Sequence, residues 1–296
     1  MEATLRARAE ALYRELQAAI CLELEGLDGR ARFHEDAWTR PEGGGGWTRV
    51  IADGAVLEKG AVNVSAVWGP APAALVEHLK VEAREFFATG ISMIFHPRSP
   101  HCPTMHANLR YFETDAGVSW FGGGSDLTPY YLVEDDVRHF HRTIRAACER
   151  HACADYPRWK AQADRYYHLP HRGEARGVGG TFFDHERGDL EGLLALQRDY
   201  GQALMPSYAP LLRKHKDEPW TEEQERWHLL RRGRYVEFNL IHDRGTRFGL
   251  QTGGRTESIL SSLPPRVRFD YQDEPAKDTP ERALWDLVRG EPVDWT

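Results

Sequence analysis

Residues 91–131 read ISMIFHPRSPHCPTMHANLRYFETDAGVSWFGGGSDLTPYY, and their side-chain alternation limits what this chain can fold into. At the two-residue period of a strand, Thr104, His106, Asn108, Arg110 and Phe112 share one face, opposite Met105, Ala107, Leu109 and Tyr111. Just upstream, Ser92, Ile94 and His96 oppose Ile91, Met93 and Phe95. One face of each segment can pack against a core layer. The other carries titratable groups that need polar partners or water if they are enclosed. The pattern therefore predicts a sheet with one apolar face and one face lining a wet cleft, with strands near 91–96, 104–112 and 117–122.

Around these strands, Leu5, Leu12, Leu16 and Ala19 fall at helical spacing over 2–25. Residues 34–69 are β-rich, with a Gly43–Gly46 turn and a strand near Val62–Val67. Pro72 opens a predicted helix to about Thr89. Further helices are predicted over 133–151, 155–168, 189–214 (interrupted near Pro206 and Pro210), 220–231 and 280–289, and a strand over 179–184. Residues 234–242 alternate again, and 247–252 can return as their partner strand after Asp243-Arg244-Gly245-Thr246. Short turns between neighbouring strands favour antiparallel pairing. Helices come in blocks, so the fold class is α+β. No repeat or linker divides residues 1–296, which are expected to form one domain.

The net charge of −7 argues against a nucleic-acid surface. An anionic ligand would need a local arginine cluster, and such clusters occur at Arg98/Arg110 and Arg244/Arg247/Arg255. No run reaches the ~18 apolar residues of a membrane span, and no secretory h-region is present, so a cytoplasmic location is expected. Cys21, Cys102, Cys148 and Cys153 form no C-x-x-C pair and read as reduced thiols, with Cys102 placed beside the histidines. There is no G-x-G-x-x-G after a strand, no P-loop and no G-x-S-x-G elbow, so no nucleotide or serine-hydrolase site is predicted. Glycines 122–124 and 253–254 are either tight turns or places where backbone approaches a ligand closely.

Of 14 histidines, His34, His78, His151, His215 and His228 lack clustered polar company. His96 and His106 have it, and His141 and His171 lie on later elements that could close over the same cleft. These four could hold a divalent cation, or a histidine could act as a proton carrier without metal. Asp126 is either a turn or cap residue or a carboxylate presented to the cleft. Arg110 and Arg255 are either structural ion pairs or anchors for substrate carboxylates. A metal-dependent hydrolase or dioxygenase and a non-catalytic carrier of a small acidic molecule both remain compatible with these residues.

Five stretches resemble the oxygen-dependent coproporphyrinogen III oxidases: EGGGG at 42–46, HPRSPHCPTMHANLRYFE at 96–113, WFGGGSDLTPYY at 120–131, VGGTFFD at 178–184 and YVEFNLIHDRGTRFGLQTGGRTESILSSLPP at 235–265. They span nearly the whole chain in family order. The resemblance implies a flat antiparallel sheet sandwiched between helices. It implies oxidative decarboxylation of two propionates of coproporphyrinogen III to vinyls, with O2 as acceptor, giving protoporphyrinogen IX in haem biosynthesis. It implies no organic cofactor, and a homodimer built around 235–270. By motif, His106 resembles the proton donor, and Asp126 the acidic residue that holds pyrrole N–H groups. Ser92, Asn108, Leu109, Arg110, Gly253, Gly254 and Arg255 resemble substrate contacts. His96, His106, His141 and His171 resemble the positions of a divalent metal such as Mn2+. The departures are His242, where Tyr or Trp is more usual, and Ala61, where Gly is common.

Overall fold

The computed structural model describes residues 3–72, 76, 82–251 and 253–296. Its centre is a seven-stranded sheet in the order β1-β2-β3-β4-β5-β6-β9, antiparallel throughout. The strands are β1 His34–Thr39, β2 Gly44–Ala52, β3 Leu57–Pro70, β4 Glu85–Pro97, β5 Thr104–Thr114, β6 Ser119–Thr128 and β9 Gly180–Glu186. The short strands β7 His168–Leu169 and β8 Glu174–Ala175 pair separately.

Eight α-helices lie among the described residues: α1 Leu5–Asp28, α2 Glu134–Cys148, α3 Tyr156–Tyr166, α4 Leu190–His215, α5 Glu222–Glu237, α6 Arg244–Gln251, α7 Thr256–Leu260 and α8 Pro280–Arg289. The α+β class is as expected. No helix among the described residues is long and apolar enough to cross a membrane.

The main core forms where the apolar strand face meets α1 and α4. Met93, Met105, Ala107, Leu109 and Phe121 pack with Leu12, Leu16, Ile20, Leu204 and Tyr208. Gln17 is buried there because its Nε2 donates to the Trp47 and Val62 carbonyls, at 2.9 and 2.7 Å. On the opposite sheet face Tyr235 of α5 packs on Ala61 and Ile94, and Ser258 of α7 bonds Thr48 at 2.7 Å. Helices therefore cover both faces. Ala61, where the resemblance leads to an expectation of Gly, is accommodated in that apolar contact.

Helix starts follow their caps. Asp189 opens α4, Thr221 and Gln224 form a capping box for α5, and Thr279 with Pro280 opens α8.

Four predicted features are corrected. Residues 73–75 and 77–81 of the helix expected from Pro72, with His78, lie outside the described residues, and Glu85–Thr89 belong to β4, paired on both sides. The turn at the first glycine run is confined to residues 41–43. Gly44–Gly46 are strand, needed because a Cβ there would meet neighbouring strands at 2.1–2.5 Å. Pro206 and Pro210 sit inside an unbroken α4. Pro210 lacks the N–H that would reach the Pro206 carbonyl, and His139 Nε2 takes its place at 3.0 Å. Finally, 234–251 is not a hairpin. The well-capped α5 runs on to Glu237, a π-turn spans Phe238–His242, and α6 follows. Burial of Arg231, Arg232, Arg234, Tyr235 and Phe238 around the helix outweighs the strand propensity of Tyr, Val and Phe.

Candidate active site

Cross-strand register assembles the site. Ile94, His106 and Asp126 lie abreast on β4, β5 and β6, and the next rung holds Ser92, Asn108 and Gly124. One rung further, Arg110 lies between Gly90 and Gly122. Residues abreast on paired strands point to one side, so His106, Ser92, Asn108 and Arg110 share a face, as the alternation predicts. Ser92 is exposed in mid-sheet, which marks a gap in the helical cover.

Asp126 is only 2 % exposed and does not cap a turn. His106 Nδ1 bonds its Oδ1 at 2.9 Å, and Arg176 Nη2 donates to its Oδ2 at 2.6 Å. Burial pushes the Asp126 carboxyl up, but the Arg176 charge and the His106 bond outweigh it and hold the group below the usual carboxylate range. The ionised carboxylate fixes the proton on His106 Nδ1. Nε2 is then the ring nitrogen without a protein partner among the described residues. It can carry a proton to or from a bound molecule.

Arg176 is buried and enclosed by the rings of Tyr167, Phe238 and Tyr235, at 4.4, 4.5 and 4.8 Å from guanidinium to centroid. Sequence reading missed it. Its one signal was its place two residues before Val178-Gly179-Gly180, at the end of an irregular segment whose path only the fold defines.

Glycines 122–124 form neither a turn nor an open ligand cradle. They are mid-strand in β6, where a Cβ on Gly124 would lie 2.1 Å from the Thr181 carbonyl oxygen and one on Gly122 2.9 Å from Arg110 Nε. Gly253, by contrast, has φ +71° in a true turn. That turn lies beside β1, where Arg255 pairs with Asp36. Asp36 is four strand spacings, about 19 Å, from the β5 strand of Arg110. Gly253, Gly254 and Arg255 therefore belong to the far side of the polar face and do not touch the His106–Asp126 pair.

Arg110 is held by Asn108 Oδ1 at 2.9 Å and Asp184 at 3.0 Å. The Leu109 side chain is fully buried in the α4-side core, so only its backbone could meet a ligand in the cleft. Cys102 is buried too, and burial pushes its thiol up to about 12, which makes it inert at neutral pH.

The four histidines are not brought together. His96 is fully buried, with Nε2 on the Ser262 carbonyl at 2.9 Å. His141 is bound to Tyr156 Oη at 3.0 Å and the Val178 carbonyl at 3.1 Å. His171 bonds His242 at 2.9 Å and Glu237 at 2.7 Å, which gives the unusual His242 a partner. Among the described residues no three His, Cys, Asp or Glu side chains form a metal-sized group. These residues do not fit a divalent cation in this arrangement.

Burial lowers the His141 pKa from 6.5 to about 4. The unfolded chain therefore takes up this proton first, so stability is full above pH 6.5 and falls as the pH drops toward 4. His141→Gln is expected to flatten the dependence of Tm on pH over that interval. An unaltered slope would remove His141 as its source.

The coproporphyrinogen III oxidase family model matches residues 8–295. The chain belongs to that family. Curated relatives agree over nearly its whole length. The oxygen-dependent coproporphyrinogen-III oxidase of Glycine max (chloroplastic) is 47% identical, over 99% of this chain and 80% of its own. That of Nicotiana tabacum (chloroplastic) is 45% identical over 99% and 78%, and that of Drosophila melanogaster 46% identical over 98% and 78%.

Proposed function

We propose that this chain is an oxygen-dependent coproporphyrinogen III oxidase of haem biosynthesis, converting two propionates of its substrate to vinyl groups. The observation that carries this reading is the Arg176–Asp126–His106 relay, which ends at a free imidazole nitrogen on the face of exposed Ser92 and half-buried Asn108 and Arg110 in a member of this family. Each propionate loses CO2 and the equivalent of a hydride, and O2 with one proton takes up that hydride as H2O2. His106 moves the proton at Nε2. Asp126, with both oxygens engaged, acts by orienting His106 and does not itself hold the pyrrole N–H groups. Arg110 faces substrate carboxylates, and Arg255 does so from the far side of the polar face. No metal and no organic cofactor is assigned a step.

The test is turnover of coproporphyrinogen III by purified protein in air, without oxygen and with EDTA. Vinyl product and H2O2 formed in equal amounts only with oxygen support the reading. Substrate bound without product in air would favour the carrier instead. Loss of activity in EDTA, restored by Mn2+, would return a metal to the scheme.

We also read the chain as one domain that works as a homodimer. The support for the dimer is apolar surface at Leu240, Ile241, Phe248 and Leu250, all exposed within the 235–270 region. Ile241→Glu is expected to convert the dimer to monomer in sedimentation velocity; an unchanged sedimentation coefficient would move the interface elsewhere. A cytoplasmic location is part of the proposal, and it rests on four cysteines that are all unpaired.

A further inference from the structure

A pocket of about 200 Å³ lies between α3, the 173–179 segment and the chain beyond α8. Its rim is exposed at Gly173, Gly290 and Pro292, and its floor is buried at Ala163, Tyr167, Val178 and Trp295. Lys160 Nζ donates to Asp164 at 2.6 Å and to the Val293 carbonyl at 2.7 Å, which ties the C-terminal segment to α3 and frames the opening. The floor is mainly apolar, and an enclosed apolar surface takes up a nonpolar gas more readily than water.

This floor ends one side chain away from the His106–Asp126 pair. The Tyr167 ring lies 6.3 Å from the His106 ring and 4.4 Å from the Arg176 guanidinium. Its hydroxyl is buried without a partner among the described residues, and the same holds for Thr128 Oγ1. Thr128 follows Asp126 by two residues on the same face of β6. Its Oγ1 is 2.9 Å from where a Cβ on Gly177, a residue of the pocket wall, would stand. Burial pushes the Tyr167 phenol up, so it stays protonated and able to donate at neutral pH. Buried hydroxyls without partners are costly. Two of them near the closed end of one pocket mark a place for a small molecule that forms hydrogen bonds.

The reaction proposed above consumes O2 and yields H2O2 while a macrocycle lies across the face of Ser92, Asn108 and Arg110. The gas then needs an approach that the substrate does not cover. O2 suits the apolar floor, and H2O2 suits the two hydroxyls.

We propose that this pocket is the entry site for dioxygen, with Tyr167 standing between it and His106 and the Tyr167 and Thr128 hydroxyls receiving the peroxide product. This rests on the function proposed above.

The experiment follows initial rates of vinyl formation at saturating coproporphyrinogen III over a range of dissolved O2. Ala175→Phe and Val293→Phe fill the pocket from half-buried positions on its wall. Each should lower kcat/KM for O2 by about tenfold, equivalent to ~1.4 kcal/mol on entry, and leave KM for coproporphyrinogen III unchanged. Should the phenylalanine variants fail to fold, Ala175→Leu should lower kcat/KM for O2 in the same direction. Wild-type crystals under xenon pressure should hold the gas against Ala163, Val178 and Trp295. An unaltered O2 dependence in a folded variant overturns the entry site, as does a wild-type pocket that takes no xenon or a change confined to KM for coproporphyrinogen III. Failure of the functional reading shows differently, as a wild type that makes no vinyl product at any O2 concentration.

Discussion

Asp126→Asn is expected to lower kcat for coproporphyrinogen III by about 100-fold or more, the lower end of what a positioned proton carrier contributes, while KM changes little. The substitution keeps the shape but removes the charge that selects the Nδ1–H tautomer of His106. It also leaves the buried Arg176 guanidinium with only a neutral amide in place of its carboxylate. The proposed substrate contacts at Ser92, Asn108 and Arg110 are untouched, which is why the loss should fall on turnover. His106→Gln should reach a similar kcat, and the double variant should be little worse than either single one, because both disable one unit. Wild-type turnover in Asp126→Asn would reduce Asp126 to a structural partner of Arg176. A loss confined to KM would place it in substrate binding.

Glu58→Ala is expected to cost about 3–5 kcal/mol of stability, the usual result of stripping one partner from a buried ion pair. Arg232 is fully buried and donates to Glu58 at 2.5 Å and to the Pro97 carbonyl at 2.8 Å, while Arg266 donates to the other Glu58 oxygen at 2.6 Å. Burial raises the Glu58 pKa, but the charge and hydrogen bond of Arg232 and the contact with Arg266 bring it below its ordinary value. Without Glu58 the Arg232 charge stays in the interior, beside His96, with no counter-charge. Replacing both, as Glu58→Met with Arg232→Met, should recover much of the loss, because no lone charge then remains. Denaturant unfolding checks this. A Glu58→Ala midpoint close to wild type would mean that water reaches Arg232, and the double variant would then be the less stable of the two.

The strands near 91–96, 104–112 and 117–122 were legible because one face is apolar and the other polar, and a pleated strand sorts such residues without help from the rest of the chain. The same alternation placed Ser92, His106, Asn108 and Arg110 on one surface, and caps at Asp189, Thr221 and Thr279 made helix starts legible. The 234–251 segment was misread because Tyr235, Val236 and Phe238 favour a strand locally, while the buried contacts that keep them helical come from distant residues. The histidines at 96, 141 and 171 were grouped by type, but tertiary packing gives each its own carbonyl, hydroxyl or carboxylate partner.

From its own order of residues, this chain determined its family, its α+β class and the polar face that carries His106, since strand period and long motifs are local properties. Only the tertiary structure decided what Asp126 touches. A carboxylate at that position could end a turn, meet a ligand or pair with neighbouring side chains. Its pairing follows from a buried arginine fifty positions away, brought alongside by packing that no local pattern encodes.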